Sequence, residues 1–150
     1  MPKQVMSMKL TGGKELEAAL ADLGKQVATR IGRKAVRDSA RLLQQAMIEK
    51  APYRPGERAG RSGQYGHLRD NLKVKAVKAQ KPGLLLYRVT TGDAFWGNFL
   101  EFGTVRMAAK PWARPTVDAE KGNIVDLQIG TLSLGIERAA KRAARKGVKA

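Results

Sequence analysis

The segment from about Gln26 to Lys50 carries its apolar residues at helical spacing, and it restricts the folds open to this chain more than any other feature. A helix with so wide an apolar face must be covered by a sheet or by another helix. Pro52 predicts the end of this helix, because a proline pushes the residue before it out of helical backbone angles. The apolar positions form two adjacent stripes, one of Val27, Ile31, Ala35, Leu42 and Ala46 and one of Val36, Ala40, Leu43 and Met47.

Two strands and a last helix are predicted to follow. Lys73–Lys78 alternates polar and apolar residues, as a half-buried strand does, and the more apolar Leu84–Thr90 forms a hairpin with it. A helix from Thr116 towards Lys146 carries more apolar surface than a small sheet can cover, so part of it is expected to contact a second copy of the chain. The glycines of this helix predict a break in its interior. Its apolar lines are Val117, Ile124, Leu127 and Leu134, and Val125, Ile129, Leu132 and Ile136.

The aromatic residues are concentrated between the strands and the last helix. The run 94–104 contains all three phenylalanines and one of the two tryptophans, and it is expected to form the centre of the core or of an interface. The run is too short to decide between helix and strand. The aromatic residues expected in the core and at its rim are Phe95, Trp96, Phe99, Phe102 and Trp112.

These elements predict an α+β fold in which long N-terminal and C-terminal helices pack on a small antiparallel β-sheet. A chain of 150 residues suits one domain, so residues 1–150 are expected to form a single domain. That domain would have a flexible loop at about 52–66, rich in glycine and proline, and a basic C-terminal tail. A further short helix is predicted over Lys14–Leu23.

Composition excludes several classes of function. The chain has no cysteine and one histidine, which removes disulfides, thiolate metal sites and imidazole clusters, and no cofactor is expected. No signal peptide or membrane-spanning run is recognised. A soluble protein made in the cytoplasm, with no membrane partner, is therefore expected.

Two residues could take part in catalysis, but a structural role is favoured for each. His67 lies beside the glycine-rich loop, where a small nuclease would keep a histidine, yet no carboxylate pair at metal-binding spacing accompanies it. Glu101 could be a buried general base, although a carboxylate in such a place is more often held by an arginine or by backbone donors. No enzymatic activity is predicted.

Positive charge is the strongest compositional signal. The chain has 29 lysines and arginines against 13 aspartates and glutamates, a net charge of +16. Such a surface attracts DNA phosphates or an acidic protein, and charge alone does not choose between them. The residues expected to face DNA are Arg30, Arg33, Lys34, Arg37, Arg41, Lys141, Arg142 and Arg145, and the loop residues expected to contact a neighbour are Arg54, Arg58 and Arg61.

Three motifs together resemble a phage family. Phe-Leu-Glu-Phe-Gly-Thr at 99–104 is followed, after a short connector, by Pro-Trp-Ala-Arg-Pro at 111–115, and Gly-His-Leu-Arg at 66–69 leads into the first strand. The pattern is similar to that of the gene-product-ten-like minor tail components, or tail-completion proteins, of long-tailed bacteriophages. Two features differ: the loop 53–65 is longer than is usual there, and Tyr65 stands where a threonine is common.

The resemblance implies a structural protein of the virion, at the neck or tail junction, without catalytic activity. It implies a closed homo-oligomeric ring, expected to hold six or twelve copies. The ring would join head-side portal or adaptor proteins to a tail terminator or tail-tube protein around double-stranded DNA. Arg114 is expected to pair with Glu101. The residues expected to shape the fold or its interfaces are Phe99, Glu101, Phe102, Gly103, Thr104, Pro111, Trp112, Arg114, Pro115, Ile124, Leu127 and Leu134.

A nonspecific DNA-binding protein is the alternative, with the charge itself as the function. A steep salt dependence of DNA affinity in the isolated protein would favour this alternative. Weak DNA binding, together with assembly onto portal-ring or tail-tube proteins, would favour the tail protein.

Overall fold

The computed structural model describes residues 24–53 and 66–147. The predicted helix over Lys14–Leu23 and the loop arginines Arg54, Arg58 and Arg61 lie outside the described residues. The elements follow in the order α1 (Lys25–Lys50), α2 (Leu68–Asn71), β1 (Lys73–Val77), β2 (Leu86–Thr90), α3 (Trp96–Phe102) and α4 (Ala113–Gly147).

The first helix, α1, occupies the predicted segment almost residue for residue. It ends before Pro52 as expected: Ala51 is extended, with φ −62° and ψ 132°, while its N–H still donates to the Met47 carbonyl. The most extensive packing in the molecule joins α1 to α4, and both strands also pack on α1. The wide apolar face of α1 is thus shared between a helix and a hairpin, which confirms the α+β class.

The hairpin has the predicted antiparallel pairing. Lys73 lies opposite Thr90, and Val77 lies opposite Leu86. The sheet of the described residues has two strands, so neither is central, and Leu86 is largely exposed. The hairpin therefore covers part of α1 without enclosing a core of its own.

The last helix, α4, is continuous from Ala113 to Gly147, so the expected break at its glycines is wrong. Gly135 lies against α1, where a Cβ would come within 2.5 Å of a methyl carbon of Ile31. The absence of a side chain lets the two helices approach closely. Packing along α1 outweighs the roughly 1 kcal/mol by which each glycine disfavours a helix.

The buried apolar residues gather where the end of α1 meets the start of α4. We call this region the core end. None of the described side chains before Ala35 or after Thr116 is buried, and we call that opposite region of the α1–α4 pair the basic end. The apolar core consists of Met47, Ala51, Leu68, Leu72, Ala94 and Trp112, with Leu43, Ile48, Val89, Trp96, Leu100 and Ala113 packed around it.

The predicted aromatic core is only partly present. Trp112 is buried, its indole N–H donates to the Gly97 carbonyl at 3.2 Å, and Trp96 packs on the core. The three phenylalanines are instead about half exposed or more. They lie outside the core because the inner side of α3 is taken up by other residues.

Candidate functional site

Glu101, near the end of α3, is buried, and its carboxylate faces the start of α4. Oε2 accepts hydrogen bonds from the backbone N–H groups of Trp112 and Ala113, at 2.7 and 2.8 Å. Oε1 accepts one from the backbone N–H of Arg114 at 3.1 Å and one from the Arg114 Nε–H at 2.9 Å. The predicted ion pair between Glu101 and Arg114 is therefore present.

These hydrogen bonds explain where α4 begins. A helix leaves its first four N–H groups without partners inside the helix, here those of residues 112–115. Pro115 has no N–H, and Glu101 accepts from the other three. The first turn of α4 contains no acidic residue. A carboxylate eleven residues upstream of Trp112 thus caps the helix and supplies the negative charge that its N-terminus favours.

The protonation state of Glu101 fits this structural role. Burial raises the pKa of the carboxyl, but hydrogen bonds from Ala113, Trp112 and Arg114 outweigh that effect and lower the pKa from 4.5 to about 2. A general base works best with a pKa near the operating pH. The geometry and the low pKa of Glu101 favour a cap over a base.

The turn after α3 requires glycine. Gly103 has φ 74°, and its N–H donates to the Phe99 carbonyl at 2.8 Å. A Cβ there would come within 2.8 Å of the Ala109 nitrogen and of the Met107 carbonyl oxygen. Thr104 and Met107 then exchange backbone hydrogen bonds in an isolated bridge, which reverses the chain. The Glu-Phe-Gly-Thr motif therefore encodes the cap and the reversal that brings α4 to it.

The Gly-His-Leu-Arg motif closes the base of the long loop. Gly66 adopts φ 69°, and Leu68 is buried in the core. The His67 ring packs edge-on against Tyr53 with centroids 4.8 Å apart, and the Arg69 guanidinium lies 3.5 Å from the centre of the Tyr53 ring. Among the described residues, no group of three or more histidine, cysteine or acidic side chains is placed to hold a metal. His67 was expected to be a solvent-exposed turn residue, but it is partly buried against Tyr53.

An apolar surface lies on the outer side of α3. Phe95, Phe99 and Phe102 are spaced four and three residues apart, which places them on one side of the helix, and they are 57%, 46% and 66% exposed. We call these three residues the phenylalanine face. Phe95 and Phe99 pack in a T-shaped pair with centroids 5.9 Å apart, and the Arg114 guanidinium lies 4.9 Å from the Phe102 ring centre. Contiguous apolar surface of this kind is typical of interaction sites.

Part of the predicted DNA-facing set comes together in a groove of about 320 Å³ between α1 and α4. Because Gly135 of α4 lies beside Ile31 of α1, the C-terminal part of α4 runs along the first turns of α1. Of the predicted set, Arg41, Lys141 and Arg145 do not line this groove. We call the six cationic residues that line it the basic groove: Arg30, Arg33, Lys34, Arg37, Arg138 and Arg142.

Little negative charge opposes the basic groove. Asp38 accepts a hydrogen bond from Lys34, which lowers the pKa of the Asp38 carboxyl, and the Arg37 Nε lies 3.7 Å from its other oxygen. Within the described part of the chain the remaining four arginines of the groove form no ion pair. Arg138 was not in the predicted set; its place in the groove follows from the alignment of α4 on α1, which the sequence of either helix alone does not reveal.

The apolar residues predicted for α4 divide into two groups. Ile124 and Leu127 are half-buried, and the Ile124 carbonyl accepts a 3.4 Å hydrogen bond from the Ser39 hydroxyl of α1. Leu134 is 53% exposed, and Val117 and Ile129 are also exposed. Pro111 and Pro115 are exposed at the entry to the helix.

The described residues thus combine an apolar face at the core end with a basic groove at the opposite end of the α1–α4 pair. Residues 14–103, more than half of the chain, match the HK97-gp10-like family of bacteriophage tail components. The chain belongs to this family, so its role is that of a structural tail component of the virion. The resemblance to phage tail components is confirmed over residues 14–103, whereas the Pro-Trp-Ala-Arg-Pro motif at 111–115 lies beyond the matched residues. Comparison with curated proteins and with solved structures gave no match. Across residues 24–53 and 66–147, no helix is both long and apolar enough to span a bilayer.

Proposed function

We propose that this protein completes the tail at its junction with the head, as a closed ring whose subunits meet through the phenylalanine face. The single observation that carries the proposal is the exposure of three phenylalanines on a helix that Glu101 fixes in place. Exposed rings on a fixed helix lose little conformational freedom when a partner covers them. The proposed role involves no catalysis.

A second copy of the chain is the proposed occupant of this face. The loop 54–65 joins the described chain near the core end, but its apolar side chains are limited to Ala59 and Tyr65, apart from one proline. The loop therefore has little apolar surface with which to cover three phenylalanines, whereas a second copy brings the exposed apolar side chains of its own α4.

The surface that would meet the phenylalanine face lies on α4. In a ring, each contact joins two different patches, so that one copy supplies the face and the next supplies its complement. Val117, Ile129 and Leu134 on α4 are exposed apolar side chains outside the apolar core. At about 100° per residue they point to different sides of the helix, so the complement would be built around one of them. We expect six or twelve copies, with head-side portal or adaptor proteins and a tail terminator or tail-tube protein as neighbours. Membership of a tail-component family supports this setting.

The test compares two substitutions at equally exposed positions. Phe99 is 46% exposed and Leu84, in the hairpin, is 48% exposed. Negative-stain micrographs and mass photometry of the wild-type protein, alone and mixed with tails, should show rings. Phe99→Glu should give a folded monomer by circular dichroism that fails to complete tails, whereas Leu84→Glu should still form rings. Rings of normal size from Phe99→Glu, or a wild-type protein that never assembles even on tails, would refute the proposal.

A further inference from the structure

We propose that the basic groove binds the phosphate backbone of double-stranded DNA without reading its sequence. The inference deepens the proposed function by naming the part of the subunit that contacts DNA. It rests on the proposed function in one respect only, namely that the duplex is the DNA around which the ring closes. The DNA-binding activity considered as an alternative function then becomes a property of one end of a tail protein.

Most of the positive charge in the basic groove is uncompensated. Arg30 and Arg33 on one wall, and Arg138 and Arg142 on the other, form no ion pair within the described residues, while Asp38 engages the lysine of the groove. Like charges held together on two packed helices repel one another, and a bound polyanion removes that repulsion. Five of the six cations are arginines, whose planar guanidinium groups bind phosphate through two parallel hydrogen bonds.

The spacing of its cations and its lining also suit a duplex backbone. From Arg30 to Arg37 the wall formed by α1 extends about 10 Å, over which one strand of a duplex presents about three phosphates. The described residues that line the groove are aliphatic or basic, so it lacks the aromatic rings on which the bases of single strands usually stack. Contacts of this kind position a duplex without selecting a sequence.

The basic groove and the phenylalanine face lie at different ends of the subunit. The groove lies at the basic end, and the phenylalanine face lies at the core end, next to the start of α4. About 26 Å of α1 separates Arg30 from Met47 in the core. A partner seated on the phenylalanine face of one subunit therefore lies away from the basic groove of that same subunit.

The experiment compares two triple variants that lose the same charge. The groove variant is Arg30→Gln, Arg138→Gln and Arg142→Gln; the control is Lys75→Gln, Lys78→Gln and Lys81→Gln, exposed residues of the hairpin. Fluorescence anisotropy with a duplex of about 30 base pairs is measured between 50 and 200 mM salt. Because each phosphate contact contributes about 0.9 to the slope of log K against log salt, the groove variant should lose about 2 to 3 from that slope. Its affinity at 100 mM salt should fall about tenfold or more, and the control should retain nearly wild-type values.

Several results would overturn the inference. Equal losses in the two variants would show general attraction by net charge, and a groove variant that binds like wild type would exclude the groove. Polyglutamate that binds as tightly as the duplex, with the same dependence on the groove, would assign the groove to an acidic protein. A marked preference for single-stranded DNA of the same length would require base contacts that the groove does not provide.

The same samples separate this inference from the proposed function. Phe99→Glu should bind the duplex with the wild-type salt slope while failing to form rings. If the groove variant binds DNA normally and Phe99→Glu still blocks assembly, the groove assignment fails and the tail role stands. If the groove variant loses DNA binding but the wild-type protein never completes tails, the tail role fails and the groove assignment stands.

Discussion

The two ends of the α1–α4 pair are held together by different forces. At the core end, apolar side chains are buried and the Glu101 carboxylate satisfies the whole N-terminus of α4. At the basic end, the helices touch closely at Gly135 and Ile31, and arginines surround the contact. The difference shows that stability is concentrated in one end, which leaves the other free to gather like charges that would weaken a core.

Removal of the Glu101 carboxylate is the strongest way to test this asymmetry. Glu101→Ala leaves three backbone N–H groups and a guanidinium without their acceptor. We expect the free energy of unfolding to fall by about 3–5 kcal/mol in urea denaturation. Glu101→Gln keeps one acceptor oxygen, so its free energy of unfolding should fall by less. Arg138→Gln at the basic end should change the stability by under about 0.5 kcal/mol. Unchanged folding and assembly of Glu101→Gln would mean that the cap does not hold the helix.

Acid should weaken the same cap, because it protonates the Glu101 carboxylate. The folded-state pKa of Glu101 is about 2, below its ordinary value of 4.5. Its contribution to stability is therefore complete above about pH 4.5 and is lost as the pH falls through 2. The shift corresponds to at most about 3 kcal/mol. Urea unfolding between pH 5 and 2 should show this loss in the wild type and not in Glu101→Gln. Parallel pH profiles for the two proteins would contradict the assignment.

The turn after α3 provides a further test of how tightly the core end is packed, with a glycine of the hairpin as the reference. Gly103 and Gly83 both have positive φ, but a Cβ at Gly103 would meet backbone atoms at 2.8 Å, whereas a Cβ at Gly83 would meet nothing within 4 Å. Gly103→Ala should therefore lower the free energy of unfolding by about 2–3 kcal/mol, and Gly83→Ala by about 1 kcal/mol. Chemical denaturation of both variants gives the difference. Equal losses of stability in the two variants would show that the positive φ alone, and not the close backbone contacts, makes glycine necessary at position 103.

The glycines of α4 give the smallest effects. Gly135→Ala places a methyl group against Ile31 and should destabilise the protein by about 1–2 kcal/mol. Gly130 has open space around it, so Gly130→Ala should stabilise the helix by about 0.5–1 kcal/mol. Thermal unfolding of the two variants provides the measurement. A stabilised Gly135→Ala would mean that the helices at the basic end are not in close contact.

Local patterns in the sequence were sufficient for part of this fold. Helical spacing and Pro52 predicted α1 within a residue, and alternation with a Pro-Gly turn predicted the hairpin. The pair of Glu101 with Arg114 was also predicted, because a carboxylate among apolar residues needs donors. In each of these cases the determining residues lie in or beside the element, or the chemistry of one side chain demands a partner.

The remaining features depend on contacts between distant segments. The sequence predicts that α4 starts at Thr116, three residues after the observed start at Ala113. The difference arises because the cap comes from Glu101 rather than from a residue beside the helix. Gly135 favoured a break locally, but its contact with Ile31 keeps the helix continuous. The aromatic run predicts the centre of the core or of an interface, without choosing between them. The phenylalanines are exposed because the buried residues of α3, Gly97 and Glu101, occupy its inner side.

The bond network of Glu101 also has a mechanical consequence. One side chain ties the short α3 to the first turn of α4, whose 35 residues make a rod about 52 Å long. If a neighbour pressing on the phenylalanine rings tilts α3 and the packed α1–α4 pair together by about five degrees, the far tip of α4 moves by about 4–5 Å, by the lever geometry of a straight helix. A small rotation at the contact between subunits would thus move the arginine-rich tip by about the distance between the two charged groups of an ion pair.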